Sequence, residues 1–240
     1  MKTSTSWVYE RAQKTYRKDT ALSISPSDGG IKGYHNYYTT EEFVRRDPES
    51  SSLYLRDGQR AVLANEDFIS GLHSGLHEEV DDASNLMMYK CGVEWGLNDM
   101  KRFAHRMRHE FGGGRTDINQ MNRKFVMESW WWPLTVEGWG SWRIDYSYEK
   151  QGMTFVTIYN SAVAKAMEQV GKPVCHMYAG MFAGAFSVFD QKERDSIEVQ
   201  CYAMGNDCCK FLIGDPKKVN AAEFWRREGG TADEILERLA

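Results

Sequence analysis

The chain has 240 residues, of which 42% are hydrophobic, 13% aromatic and 27% charged, with a formal net charge of −4. A chain of this size can bury a real core and suggests one large domain or two small ones. It has no strongly basic region, so direct nucleic-acid binding lacks its electrostatic signature. No apolar run approaches the roughly 20 residues that span a bilayer, and the N-terminus has no apolar signal core. We therefore expect a cytoplasmic protein that does not bind a membrane, whose five cysteines are metal ligands or buried thiols.

The N-terminal half predicts an arm followed by a hairpin and three helices. Residues 1–52 show no sustained period and are expected to form an irregular arm. The turn signal Asp57-Gly58 between two short apolar runs predicts a hairpin. Apolar side chains at helical spacing then predict helices from about residue 68, over 83–111, and from an Asp117 cap to Pro133.

After Trp139 the apolar period changes from about four to two, which predicts strands. Between the strands, helices are expected from an Asn160 cap to about residue 170 and over 175–189. The last helix carries a capping box formed by Thr231 and Glu234. The predicted strands cover the regions 142–148, 153–159, 196–203 and 209–213. Helices followed by mostly sequential strands indicate an α+β fold, with an antiparallel sheet flanked by helices.

The strongest chemical signal is a set of three cysteines and one glutamate: Cys175, Glu198, Cys201 and Cys209. Cys201 and Cys209 lie at the two ends of a predicted turn between strands, which can bring two sulfurs onto one ion. Glu198 precedes Cys201 by three residues, and Cys175 starts the preceding helix. Three thiolates and a carboxylate make a closed four-coordinate set, typical of structural zinc.

Other interpretations of the cysteines remain open on spacing alone. Free cysteines are often small buried hydrophobic residues. Cys208 competes with Cys209, because adjacent residues on a strand point to opposite faces. Cys91, in the middle of a predicted helix, is expected to be a core thiol.

The sequence around this set resembles the 4-vinyl reductase domain family and the N-terminal sensor domains of phenol- and xylene-responsive transcriptional activators. The matching residues are Pro173-Val174-Cys175, Gly180, Gly184, Glu198-Val199-Gln200-Cys201, Gly205 and Cys209. In that family the corresponding cysteines and glutamate bind zinc, and the match favours Cys209 over Cys208. A weaker resemblance includes Gly92-x-x-x-Gly96-x-x-Asp99. The resemblance implies a ligand-binding domain over 53–225, with its zinc-binding part at about 140–215, followed by a C-terminal helix over 226–240.

The resemblance also implies a pocket for a small hydrophobic or aromatic molecule. The family's pocket walls correspond here to Trp95, Trp131, Trp132, Trp142, Phe155 and Tyr159. Any one of these aromatic residues could equally belong to the core. The phenol sensors use a histidine and a tryptophan to bind the phenol oxygen. Here the segment 130–134 has no histidine and Tyr159 replaces the tryptophan, so phenol itself is not the expected ligand.

These features predict a zinc-stabilised binding protein that acts as a stand-alone sensor or carrier and forms a homodimer, as its relatives do. The activators continue into ATPase and DNA-binding modules, whereas this chain ends at Ala240. The alternative is an enzyme or accessory factor acting on an aromatic or tetrapyrrole-like substrate. Its second metal would be bound by histidine pairs together with a nearby glutamate: His73 and His77, His105 and His109, with Glu78 or Glu94. No nucleophile elbow, P-loop or dinucleotide motif is present, so an enzyme is less favoured.

Overall fold

The structure is a computed structural model that describes residues 43–55, 58–110 and 113–239. The chain divides into two compact units, residues 1–65 and 66–240. In the first unit, three antiparallel strands lie in the order β1 (Val44–Asp47), β2 (Ser52–Leu55) and β3 (Arg60–Ala61). The pairing of β2 with β3 confirms the predicted hairpin. Strand β1 was not predicted because its sequence, Val-Arg-Arg-Asp, carries a single apolar residue. Residues 1–42 of the predicted arm lie outside the described residues.

Two helices open the second unit, α1 (Glu66–Val80) and α2 (Ala83–Glu110), and both were predicted. No described side chain of α1 is buried, and Leu72 keeps 43% of its surface exposed. Helix α2 is different, because one of its faces is buried along much of its length. The buried residues of that face include Met88, Gly92, Gly96, Met100, Phe103 and Met107.

The third predicted helix begins later and ends later than expected. Asp117 precedes only a short 3-10 turn, Ile118–Gln120. Helix α3 (Arg123–Val136) instead begins after Asn122, whose side-chain oxygen accepts a hydrogen bond from the Phe125 amide at 3.0 Å. Pro133 lies inside α3 rather than ending it. Because the proline stands within the last turn, it removes one main-chain hydrogen bond there without breaking the helix.

The centre of the second unit is a four-stranded sheet in which all neighbouring strands are antiparallel. Its strands lie in the order β4 (Ser141–Asp145), β5 (Met153–Tyr159), β7 (Cys209–Gly214) and β6 (Asp195–Gln200). Helices flank this sheet, so the predicted α+β class with an antiparallel sheet is confirmed.

The remaining helices are α4 (Ala162–Ala166), α5 (His176–Asp190), α6 (Pro216–Arg227) and α7 (Ala232–Leu239). Helix α4 is shorter than predicted and is capped by Ser161 rather than Asn160, because the Ser161 hydroxyl accepts from the Ala164 amide at 3.1 Å. Helix α6 was not predicted. The capping box of Thr231 and Glu234 is confirmed by their reciprocal hydrogen bonds.

The two faces of the sheet pack against different partners. On one face, Phe155 and Leu212 belong to a core cluster that includes residues of α6 and α7. On the other face, Trp142 of β4 and Phe211 of β7 contact Phe182 of α5. The strands therefore present alternate residues to two separate hydrophobic layers.

Helix α2 lies against the outer side of α5, and glycines allow the close approach that Gly180 and Gly184 predicted. A Cβ atom built on Gly180 would overlap the carbonyl oxygen of Tyr89, and one on Gly184 would overlap that of Val93. Gly92 and Gly96 of α2 face the Met177 and Met181 carbonyls in the same way. The helix pair therefore has backbone-to-backbone contact where any larger residue would force the helices apart.

Candidate metal centre and aromatic cluster

The structure brings together the four side chains that the sequence selected. Cys175 directly precedes α5, and Glu198 lies in β6, opposite Phe211 of β7. Cys201 follows the end of β6, and Cys209 is the first residue of β7. All four are buried, with at most 2% of their surface exposed.

The connection between β6 and β7 explains how Cys201 and Cys209 meet. A 3-10 turn at Tyr202–Met204 ends at Gly205, whose φ of 91° is accessible to glycine at little cost. The chain then returns so that Cys209 lies beside Cys201. Cys208 is outside the cluster, half-buried, and its sulfur lies 3.2 Å from the Gln200 amide nitrogen.

The spacing of the ligand atoms suits one small ion. One ligand atom from each residue lies within 4.8 Å of all the others. The Cys209 sulfur lies 3.6 Å from that of Cys175 and 3.9 Å from that of Cys201. A tetrahedral zinc site with Zn–S bonds of about 2.3 Å places its sulfurs about 3.8 Å apart. The observed distances therefore match a tetrahedral thiolate site.

Neighbouring groups orient the four side chains. The Cys175 amide donates to Oε2 of Glu198 at 3.0 Å, and the Tyr202 amide donates to the Cys209 sulfur at 3.5 Å. The Ser161 hydroxyl lies 3.5 Å from the Cys175 sulfur. Oε1 of Glu198 is buried and has no hydrogen-bond partner among the described residues. A buried carboxylate oxygen without a partner is costly, and a cation would remove that cost.

The electrostatics of the cluster point the same way. Burial raises the pKa of Cys175 and of Glu198 well above their ordinary values. Hydrogen bonds from Cys175 and then Cys209 lower the pKa of Cys201. The cluster therefore retains protons on some of its groups unless a cation is bound, and a bound divalent cation would displace them. The donor set fits a metal ion, and its four protein ligands leave no open position on a tetrahedral ion.

An aromatic cluster lies on the same face of the sheet. The Trp131 and Trp142 rings stack with centroids 4.8 Å apart and an interplanar angle of 12°. Trp130 and Phe182 complete the cluster, at 5.8 and 6.2 Å from Trp142. Trp130 and Trp131 each expose 1% of their surface, whereas Trp142 is half-buried. The cluster therefore has a closed interior and an edge that reaches solvent at Trp142.

Tyr178 connects the aromatic cluster to the metal-ligand candidates. It lies one helical turn after Cys175 on α5, and its hydroxyl donates to the Trp139 carbonyl at 2.5 Å. Its ring contacts Trp131 and Phe211, at 6.4 and 6.3 Å. Sequence reasoning missed Tyr178, although its three-residue spacing from Cys175 places both on one side of the helix.

The predicted pocket residues do not all lie together. Trp95 joins the cluster through Trp139, whose ring lies 4.9 Å away, and Trp132 is half-buried on α3. Phe155 and Tyr159 alternate with Val156 and Ile158 along β5, so they point to the opposite face of the sheet from Trp142. Phe155 packs in the core with α6 and α7, and Tyr159 is 39% exposed.

Two indoles of the cluster bind carboxylates that the sequence did not select as partners. The Trp130 nitrogen donates to Asp99 of α2 at 2.8 Å. The Trp142 nitrogen donates to Glu128 of α3 at 3.1 Å. Burial raises the pKa of Glu128 to about 7. These pairs join α2, α3 and β4, and no spacing rule connects residues so far apart in the chain.

The histidine pairs do not form a second metal site in the part of the chain that the structure describes. There, the cysteine–glutamate set is the only group of three or more histidine, cysteine, aspartate or glutamate residues placed to bind one ion. His105 and His109 are exposed, with rings 4.6 Å apart. The expectation that Glu78 or Glu94 completes such a site is therefore wrong. Cys91 also differs from prediction, because it is exposed on the outer side of α2 rather than in the core.

Comparisons with known proteins support the resemblance. Residues 154–215 match the family model of the vinyl 4-reductase domain. The chain is 34% identical over 68 residues to the uncharacterized protein MJ1642 of Methanocaldococcus jannaschii, a match that covers 27% of this chain and 42% of that protein. The chain thus spans less than half the length of that relative. The predicted resemblance to the 4-vinyl reductase domain family is confirmed over this region.

Among solved structures, the chain is similar to the phenol-responsive sensory domain of the transcription activator PoxR with phenol. The TM-score is 0.59 at 19% identity, over 77% of this chain and 90% of that one. A vinyl-4-reductase family protein from Methanocaldococcus jannaschii aligns with a TM-score of 0.39 at 17% identity, over 62% of this chain and 87% of that one. The first similarity shows a shared fold. Within the described residues, no helix is both long and apolar enough to cross a bilayer.

Proposed function

We propose that this protein binds a small hydrophobic or aromatic molecule as a sensor or carrier, and that a zinc ion bound by Cys175, Glu198, Cys201 and Cys209 stabilises its fold. The observation that carries the proposal is the buried cysteine–glutamate cluster, connected through α5 to the aromatic cluster. Zinc accepts three thiolates and one carboxylate, and the sulfur spacing suits its bond lengths.

The metal would have a structural role. It would connect the start of α5 to β6, β7 and the turn between them, which are far apart in the chain. Because the protein supplies all four ligands, the ion would have no position for a catalytic water. The ion would also remove the cost of the buried Oε1 atom of Glu198, which no described residue contacts by a hydrogen bond.

The ligand would lie at the aromatic cluster, where the half-buried ring of Trp142 marks the open edge. Aromatic rings provide a large apolar contact area, and indole nitrogens provide polar groups for orientation. Trp95 and Trp131 remain in this proposal because the structure places them in or beside the cluster. Phe155 and Tyr159 leave it, because they point to the other face of the sheet.

We extend the proposal to a homodimer, as expected from the resemblance. Apolar side chains on α1 and α2 support it: Leu72, Leu86 and Met87 are 43%, 56% and 44% exposed. Exposed apolar residues concentrated on neighbouring elements often mark a protein–protein interface. Light scattering of the wild type and of Leu86→Asp would test this, and an unchanged dimer in the variant would exclude Leu86 from the interface.

Native mass spectrometry of protein purified from its own source tests the central proposal. It reports metal content, the mass of any bound molecule and the oligomeric state in one spectrum. We expect one zinc ion per chain and a bound organic molecule. Protein that carries well below one metal per chain would contradict the zinc proposal, and protein with metal but no bound molecule in any preparation would contradict the binding role.

A further inference from the structure

A polar group lies at the open edge of the aromatic cluster, where α3 meets β4. Glu128 projects from α3 and accepts a hydrogen bond from the Trp142 indole at 3.1 Å. Glu128, Trp142 and Tyr146 are all half-buried. The carboxylate therefore lies between the closed aromatic interior and solvent, where a bound molecule could reach it.

Glu128 has no ion-pair partner among the described residues. The nearest cation is Lys124, one turn earlier on α3, which affects the carboxylate through its charge alone. Arg123 is already engaged, because it forms ion pairs with Glu149 at 2.6 Å and Asp190 at 2.5 Å. A partly buried carboxylate without a bonded countercharge is unfavourable, and a bound cation would compensate it.

Tyr146 contributes a second polar atom at this edge. It follows β4 at the alternation that places it on the same face as Trp142 and Ile144. Its hydroxyl is buried and has no hydrogen-bond partner in the described part of the chain. The Glu128 charge acts on Tyr146, as do those of Arg123 and then Glu149. Buried hydroxyls normally have a partner, so a polar atom from a bound molecule would complete this one.

We infer that Glu128 and Tyr146 recognise a positively charged nitrogen on an apolar or aromatic ligand held at the Trp142 edge of the aromatic cluster. The inference rests on the proposed function and names its ligand class. A protonated amine would supply the missing countercharge to Glu128 and a donor to the Tyr146 hydroxyl. It would also meet the aromatic rings of Trp142 and Tyr146, whose faces attract cations.

The test compares two probes that differ only in charge, 2-phenylethylamine and its neutral counterpart 2-phenylethanol. Calorimetric titration of the metal-loaded protein at pH 8 should give at least about tenfold tighter binding of the amine. Glu128→Gln keeps an acceptor for the Trp142 indole but has no charge. We expect it to lose about tenfold in amine affinity while its affinity for the alcohol changes by less than about twofold.

Glu137→Gln is the matched control, because Glu137 also accepts from an indole, that of Trp139 at 3.1 Å, but is exposed. It should leave both affinities unchanged. Tyr146→Phe should weaken amine binding by a smaller factor. Circular dichroism and metal content of each variant show whether it folds.

Three results would overturn the inference. The first is equal binding of both probes with no effect of Glu128→Gln, and this leaves the proposed function intact. The second is binding of neither probe at millimolar concentration. The third is a ligand without a basic nitrogen in the native mass spectrum, which would support the proposed binding role and exclude its cationic form.

Discussion

The layer between the sheet and helices α6 and α7 is built from hydrophobic side chains, whereas the opposite layer combines aromatic rings with thiols and carboxylates. In the first layer Phe155 and Leu212 meet Ile235, and packing alone accounts for its stability. In the second layer the buried side chains include Glu198, which has an oxygen without a hydrogen-bond partner among the described residues. The comparison indicates that the first layer is complete as folded, and that the second needs a bound species to satisfy its polar groups.

The largest expected effect is the loss of one metal-ligand candidate. Cys201→Ala should lose most bound metal and lower the free energy of unfolding by more than about 4 kcal/mol, because the remaining ligands would stay buried without their ion. Metal analysis and denaturant unfolding would measure both. Cys91→Ala is the control, since Cys91 is exposed on α2. Full metal content in the Cys201 variant would remove this residue from the site.

A substitution in the hydrophobic layer should affect stability without affecting metal. Ile235→Ala removes a fully buried side chain of α7 and should cost about 2 to 5 kcal/mol through lost burial and a cavity. Metal content should remain at the wild-type value. Leu63→Ala, at a side chain 74% exposed, should change stability by less than about 0.5 kcal/mol. Metal loss in the Ile235 variant would show that the two layers are coupled.

The helix pair beneath the aromatic cluster offers a smaller test. Gly180→Ala would place a methyl group against the Tyr89 carbonyl and should cost about 1 to 3 kcal/mol, because the two helices must separate. Gly75→Ala in α1 meets no atom within 4 Å and should stabilise by about 0.5 to 1 kcal/mol through helix propensity. Thermal unfolding would compare them, and equal effects would argue against the close contact.

The smallest expected effect is the pH dependence due to Glu128. Burial raises its folded-state pKa from 4.5 to about 7, so the folded state binds the proton more tightly than the unfolded state does. The stability from this group is present at acidic pH and is lost as pH rises through about 7. In Glu128→Gln this loss should be absent, which changes the difference in unfolding free energy between pH 5 and pH 8 by about 1 to 2 kcal/mol, allowing for partial exposure. Parallel pH profiles of urea unfolding for the two proteins would contradict it.

Local patterns in the sequence determined the type of most elements. The alternation after Trp139 predicted strands, and the apolar spacing in α2 predicted a helix whose ends agree closely with the structure. The cysteine–glutamate set was also visible, because its members stand at strand ends and turns whose geometry is local. Gly180 and Gly184 indicated a close neighbour without identifying it.

Only the tertiary structure decided which face each aromatic residue occupies and which carboxylate each indole binds. Phe155 and Trp142 belong to adjacent strands, but the register of β4 and β5 places them in different layers. The pairing of Glu128 with Trp142 depends on how α3 docks on β4, and no periodicity encodes that contact. Cys91 became exposed because the glycine face of α2 packs on α5 and turns Cys91 outward. Short-range patterns record local backbone preference, whereas register and docking follow from the fit of surfaces distant in sequence.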